Sequence, residues 1–329
     1  MLRAETIFSP AERVRHAFLA TVARASPALV AKRDLRVAVG ATGLVLLAFL
    51  LTATAPRWLL LVGPIVLGIP HVVADVRYLV ARPRLHARPL LWLLVAAPLV
   101  WCALGGGVRA GAVATCGAFL AARGARWLRV VGVCAGVVLF TIAARLGSTV
   151  DVAFAHLHNF AAVAIWLAWR KRVGNAHLVP LLVFATCALL FLVGAATPTV
   201  TGYPYEVGDG MVPAAWAAIG ARLISLFAFA QAVHYSVWLR LIPEDDRQQP
   251  TPRPWAASFR AMLADVGRWV AVASVFAAVG LAVYALSDLV AARALYLRAV
   301  VFHGHLEMAA LALLFVERRL PLDGAARAS

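Results

Sequence analysis

Ten apolar segments run through this chain, near residues 37–55, 58–80, 90–104, 110–122, 128–144, 152–169, 178–196, 213–241, 269–288 and 299–316. A helix needs about 20 apolar residues to cross hydrocarbon, with working cases from about 17. The segments therefore predict an all-α fold, a polytopic transmembrane helical bundle of about ten spans. The pair 90–104 and 110–122 is short. Gly105, Gly106, Gly107 and Arg109 between them predict either a tight turn or a span followed by a re-entrant segment. The segment 213–241 is too long for one straight crossing, so 213–222 is expected along the interface.

Charge placement sets the topology. The chain is 63% hydrophobic and 14% charged, with a formal net charge of +16; soluble domains are about a quarter charged. Its basic residues fall in alternate short loops. Arg82, Arg84 and Arg88 share one, Arg123 and Arg126 the next, then Arg170, Lys171 and Arg172, then Arg247, Arg253, Arg260 and Arg268. The intervening loops are poorer, with Arg57, Arg109 and Arg145, and with Arg293 and Arg298 ahead of the last segment. Under the positive-inside rule this alternation predicts cytoplasmic termini, an even number of spans and a bacterial-type inner (cytoplasmic) membrane. It also argues against a nucleic-acid partner, since no basic patch sits on a soluble fold; membrane lipids are the expected surroundings. Residues 1–36 read as a basic cytoplasmic arm without a cleavable leader, 37–317 as the bundle and 318–329 as a cytoplasmic tail. The acidic stretch 197–212 is expected outside, and the Pro-rich stretch 243–256 as an inner linker or cap. Cys102, Cys116, Cys134 and Cys187 each lie in an apolar run, none in a C-x-x-C pair, and read as small core residues.

Six of the nine histidines fall inside the apolar segments. An ionisable group in hydrocarbon is costly and by default faces a bundle interior, a ligand or a proton path. His71 and Asp75, in G-I-P-H-V-V-A-D, are four apart and share a helix face; His71 is a candidate metal ligand, with Asp75 a second ligand or the acceptor that orients an imidazole. His156 and His158 are two apart, about 200° around a helix, so only one of them is expected to face the core. His234 stands deep in its segment beside Tyr235 and Trp238. His303 and Glu307 share a face, and His305 points elsewhere. The candidate metal ligands are thus His71, His156, His158, His234, His303 and His305, with Asp75, Glu307 and Tyr235 as candidate catalytic groups. Counted on straight helices, the outer histidines stand about 10–15 Å from His71 and His234, which leaves one site or two open. His16, His86 and His177 read as solvated.

Pro70, His71 and Asp75 resemble the P-H-G-x-x-D run of the bacterial Brp/Blh-type carotenoid-cleaving dioxygenases, with Val72 where that family has Gly. His234, Tyr235 and Trp238 are loosely similar to a later aromatic and histidine segment of the family, without its paired His. The resemblance implies a non-haem Fe(II) centre that cuts a long polyene with O2, with His71 and His234 as iron ligands and Asp75 beside them.

The leading expectation is an integral-membrane histidine-ligated metalloenzyme, a non-haem iron oxygenase acting on a lipophilic substrate such as a carotenoid or modified lipid. One alternative is a haem b-binding electron-transfer or gas-handling protein with axial imidazoles. The other is a transporter relaying protons or ions through its His, Asp and Glu side chains.

Overall fold

A computed structural model describes residues 4–172, 174–198, 210–247 and 251–319, and among these the chain is helical with no strand. Eight helices are long and apolar enough to cross a membrane: Arg33–Thr54, Pro56–Ala81, Pro89–Ala121, Arg126–Leu146, Ser148–Ala168, Trp216–Asp245, Arg268–Ser287 and Leu289–Val316. Leu178–Leu192 is a shorter apolar helix. Their outer faces carry side chains such as Phe276, 74% exposed, and Leu182, 68% exposed. Water would not tolerate so extensive an apolar exterior; hydrocarbon does. The molecule is an all-α membrane bundle.

Pro89–Ala121 is one helix only in name. Gly105 has φ 105° and Gly107 φ 54°, a backbone region where side chains clash and glycine does not. There the chain doubles back, so that Gly117 lies against the backbone of Leu94; a Cβ on Gly117 would stand 1.9 Å from the Leu94 carbonyl oxygen. The segments 90–104 and 110–122 are therefore two helices of a hairpin, joined by the glycine turn. Small buried residues (Ala110, Gly111, Ala112, Ala114 and Ala118) line the second arm, which is how membrane helices gain close approach.

The last apolar segment starts earlier than hydropathy places it. A helix Leu289–Val300 leads directly into Phe302–Val316, so Arg293 and Arg298 are helical, not in a loop. Arg293 is buried, and its Nε–H donates to the Leu60 carbonyl at 2.9 Å. Pro64, four residues on from Leu60, has no N–H to give that carbonyl; Arg293 takes its place. The first span likewise begins at Arg33, ahead of position 37.

The basic loops gather at one end of the bundle, where arginines from most of them meet carboxylates. Arg36 meets Glu244 at 2.6 Å, Arg170 and Arg172 meet Asp245 at 2.9 and 2.8 Å, Arg77 meets Asp265 at 2.7 Å, and Arg88 meets Glu317 at 2.6 Å. Arg82–Asp246, Arg170–Asp34 and Arg247–Glu244 complete the layer. The stretch 243–256 is thus more than a linker, because Glu244, Asp245 and Asp246 are buried anchors. The arm helix Ala4–Ala25 docks beside them on Trp255–Val266, with Phe8 against Phe259 at 5.6 Å. Most of the acidic stretch 197–212 lies outside the described residues.

Glu317 supplies a pH test of this layer. Burial pushes its pKa up, but the paired hydrogen bonds from Arg88, the Arg123 backbone N–H and the Arg88 charge hold it below the ordinary 4.5. A carboxylate whose folded pKa is depressed contributes stability above the unfolded value and loses it as pH falls through the folded one. Glu317→Gln is expected to cost about 1.5–3 kcal/mol at neutral pH, the range for charge-assisted hydrogen bonds. The deficit against wild type should shrink as acid protonates Glu317 in both states. Detergent-solubilised unfolding across pH measures this; a deficit that is constant with pH contradicts the assignment.

Candidate metal centre

Four helices each bring one imidazole to a common point in the interior. His71, on Pro56–Asp75, has its ring centroid 5.3 Å from that of His234 and 4.9 Å from that of His303. His158 closes the ring, 5.2 Å from His234 and 5.1 Å from His303. His234 and His303 are 5.7 Å apart. One ligand atom from each of His71, His234 and His303 lies within 4.8 Å of the other two. The separation of about 10–15 Å expected on straight helices is absent, and the reason is helix length. His303 is not near the start of a helix beginning at 299 but midway along Leu289–Val316, level with the other three.

Backbone contacts set the tautomers. The Nδ1 of His303 is 2.5 Å from the Val300 carbonyl, and that of His158 is 3.3 Å from the Phe154 carbonyl. A carbonyl only accepts, so in each ring Nδ1 carries the proton and Nε2 keeps its lone pair. Tyr296 OH meets His71 Nδ1 at 3.4 Å. The Nε2 of His71 and both ring nitrogens of His234 are buried with no hydrogen-bond partner.

Two carboxylates lie just behind the rings. Asp75 and Glu307 are fully buried. Ligand atoms of Asp75, His303 and Glu307 form a second set within 4.8 Å of one another, sharing His303 with the first. Glu307 Oε1 accepts from Trp238 Nε1 at 2.9 Å and lies 3.5 Å from His234 Nε2. Its Oε2 and both oxygens of Asp75 have no partner. The orienting role expected for Asp75 toward an imidazole is therefore not made as a hydrogen bond. Among the described residues, six of the ten buried side-chain atoms without a partner belong to this one cluster. Native proteins leave few such groups unsatisfied, and here they are imidazole nitrogens and carboxylate oxygens, the donor types that hold a divalent cation.

The remaining candidates separate cleanly. His156 turns away, its Nε2 bonded to the Met211 carbonyl at 2.9 Å and its ring edge-on to Phe227. His305 stacks on Phe154 with centroids 3.9 Å apart. Neither joins the four-ring cluster. In each H-x-H pair a single ring faces the centre, as a turn of about 200° requires. Tyr235 packs on His71 at 4.6 Å. Sequence reasoning missed Tyr296 and Arg293, although an Arg one turn before a Tyr in an apolar stretch continuous with the last span was a readable signal.

A cavity of about 330 Å³ opens from the cluster. His158, His234, His303 and Tyr235 form its floor, and Asp151, Met211, Arg293 and Gly107 line it further out. Gly107 lies in the hairpin turn and Asp151 in the first turn of Ser148–Ala168, so the cavity leads to the end opposite the basic loops. Two π-type turns flank the centre: Val76–Ala81 directly after Asp75, and Val237–Leu241 carrying Trp238. Such turns cluster at functional sites.

The fit of Tyr296 to His71 depends on Gly68. A Cβ there would stand 2.3 Å from Tyr296 Cζ and 2.6 Å from its hydroxyl. Gly68→Ala is expected to push the ring off His71 at a cost of about 1–3 kcal/mol, as overpacked cores show. Tyr296→Phe, which removes the hydroxyl without adding bulk, should stay closer to wild type in thermal unfolding. Equal melting of Gly68→Ala and wild type contradicts this packing.

Comparison with family models, with curated proteins and with solved structures returned no match to this chain, so the reading of function rests on the chemistry of the cluster.

Proposed function

We propose that this protein is an integral-membrane non-haem iron oxygenase acting on a lipophilic substrate, of the kind suggested by its resemblance to the Brp/Blh-type carotenoid-cleaving dioxygenases. The observation that carries the reading is the set of unpartnered imidazole nitrogens and carboxylate oxygens on His71, His234, Asp75 and Glu307, gathered where ligand atoms of His71, His234 and His303 meet. These three would hold the ion through nitrogens, with His158 alongside. Charge supports the same assignment. A divalent cation on neutral imidazoles leaves two positive charges in hydrocarbon, and Asp75 and Glu307 are the two negative charges that offset them. Bound Fe(II) in such a donor set supplies O2 chemistry at an open coordination position.

The chain's own groups divide the remaining work. The Val300 and Phe154 carbonyls fix His303 and His158 with Nε2 inward, and Trp238 holds Glu307. Tyr235 and Tyr296 wall the cavity next to His71 and exclude bulk water from it. A haem reading is less well supported. The four rings surround one point with centroids 4.9–5.7 Å apart, which leaves no slab for a macrocycle between two axial imidazoles.

The metal assignment is tested by iron content and a visible spectrum of purified protein. About one iron per chain without a Soret band is expected. His71→Ala and His234→Ala should empty the site. Asp75→Asn should retain metal with roughly 10–100-fold weaker binding, the usual cost of losing an outer partner. A Soret band, or full iron in both histidine variants, would refute the proposal.

For the membrane setting we propose ten spans with both termini in the cytoplasm of a bacterial-type cell. The glycine hairpin and Leu178–Leu192 bring the eight long helices to ten crossings. The ion-pair layer, which joins residues near both chain ends, supports an even number. Reporter fusions at 200–210 and 245–255 should report opposite sides; agreement between them would overturn this topology.

A further inference from the structure

Among the described residues, Arg293 is the one charged side chain of the cavity wall that is both buried and without an ion-pair partner. It is 6% exposed, and no carboxylate among the described residues pairs with it. Asp151, on the same wall, accepts the Val108 backbone N–H at 2.7 Å and makes no ion pair with Arg293. The Leu60 carbonyl takes the Nε–H of Arg293, and the Met211 sulfur, a weak acceptor, lies 3.2 Å from Nη2. That leaves most of a five-donor guanidinium fork at a cavity whose wall is mostly apolar and aromatic, with Leu297, Val300 and Phe227, and which also carries Asn159, Gln231 and His156. A cation buried without a partner is costly, and a planar fork is the side chain best suited to a carboxylate or phosphate.

Position gives the second half of the argument. Arg293 lies ten residues before His303 on nearly continuous helix, about 15 Å along the axis at 1.5 Å per residue. Tyr296, one turn from Arg293, reaches His71. The cavity therefore has Arg293 at its outer end, beside an Asp151 carboxylate held by the Val108 N–H, a mainly apolar middle, and the imidazole cluster as its floor. We propose that its ligand is an amphipath, an apolar chain with an anionic head on Arg293, which presents an atom far from that head to the His71–His234–His303 centre. This rests on the functional reading above and narrows its substrate from any lipophile to an acid-headed one, in contrast to a bare hydrocarbon polyene.

The test is equilibrium binding to the metal-free full-length protein in detergent, with palmitate, hexadecyl phosphate and 1-hexadecanol as probes of one chain length. At least one anionic probe should bind about 10–100-fold more tightly than the alcohol, the range for hydrogen bonds to a charged group; which one does so distinguishes a carboxylate from a phosphate head. Arg293→Gln should erase that preference, and Arg293→Lys, which keeps the charge, should restore part of it. Equal binding of all three probes by wild type overturns the proposal and needs no variant to fold. A preference for the anionic probe that persists in Arg293→Gln overturns it as well. Because the protein is metal-free, failure to load iron defeats the oxygenase reading without touching this result. A lost head-group preference in a protein that does load iron defeats only this inference.

Discussion

A polar side chain inside hydrocarbon must find another polar group, and the interior of this bundle is organised by that requirement. Leu and Val gain nothing by choosing a neighbouring helix over lipid, because lipid is equally apolar. His71, His158, His234, His303, Asp75 and Glu307 have no such indifference. Each lies on a largely apolar helix, so turning this polar face inward constrains how that helix is rotated against its neighbours. The metal centre and the packing of the core are in this sense the same feature.

Around the centre, backbone irregularities do the positioning. Pro64 frees a carbonyl that Arg293 then caps, tying Pro56–Asp75 to Leu289–Val300. Gly68 lets Tyr296 lie close enough to reach His71. The π-type turn at Val237–Leu241 carries Trp238, which holds Glu307. Each departure from regular helix ends in a contact with a residue of the cluster or its cavity.

The two ends of the bundle are held differently. At one end, arginines of five chain segments close on Glu244, Asp245, Asp246, Asp265 and Glu317. Pairs this buried are sensitive to loss of either partner, since a lone charge then stays behind. At the other end the cavity opens between the hairpin turn, the start of Ser148–Ala168 and Met211. The chain thus has a charge-locked end and an accessible end, with the imidazoles between them.

The sequence by itself determined the fold class, because the length and apolarity of a segment are local properties that a bilayer reads directly. It also singled out His71, His234 and His303, together with Asp75 and Glu307, since an ionisable residue in an apolar run is conspicuous without any structure, and i,i+4 spacing shows which groups share a face. Which ring of each H-x-H pair turns inward was beyond it. His158 faces the cluster and His156 does not because of how Ser148–Ala168 is rotated against its neighbours, a rotation set by contacts with other helices. Depth was misjudged for a related reason. Hydropathy starts the last segment at 299, whereas the helix begins at Leu289 and runs through Arg293, because an arginine capping an orphaned carbonyl on another helix is no longer a loop residue. Arg293, Tyr296 and the pairing of Asp75 with Glu307 depend on residues more than two hundred positions apart being brought together, and only tertiary packing decides such contacts.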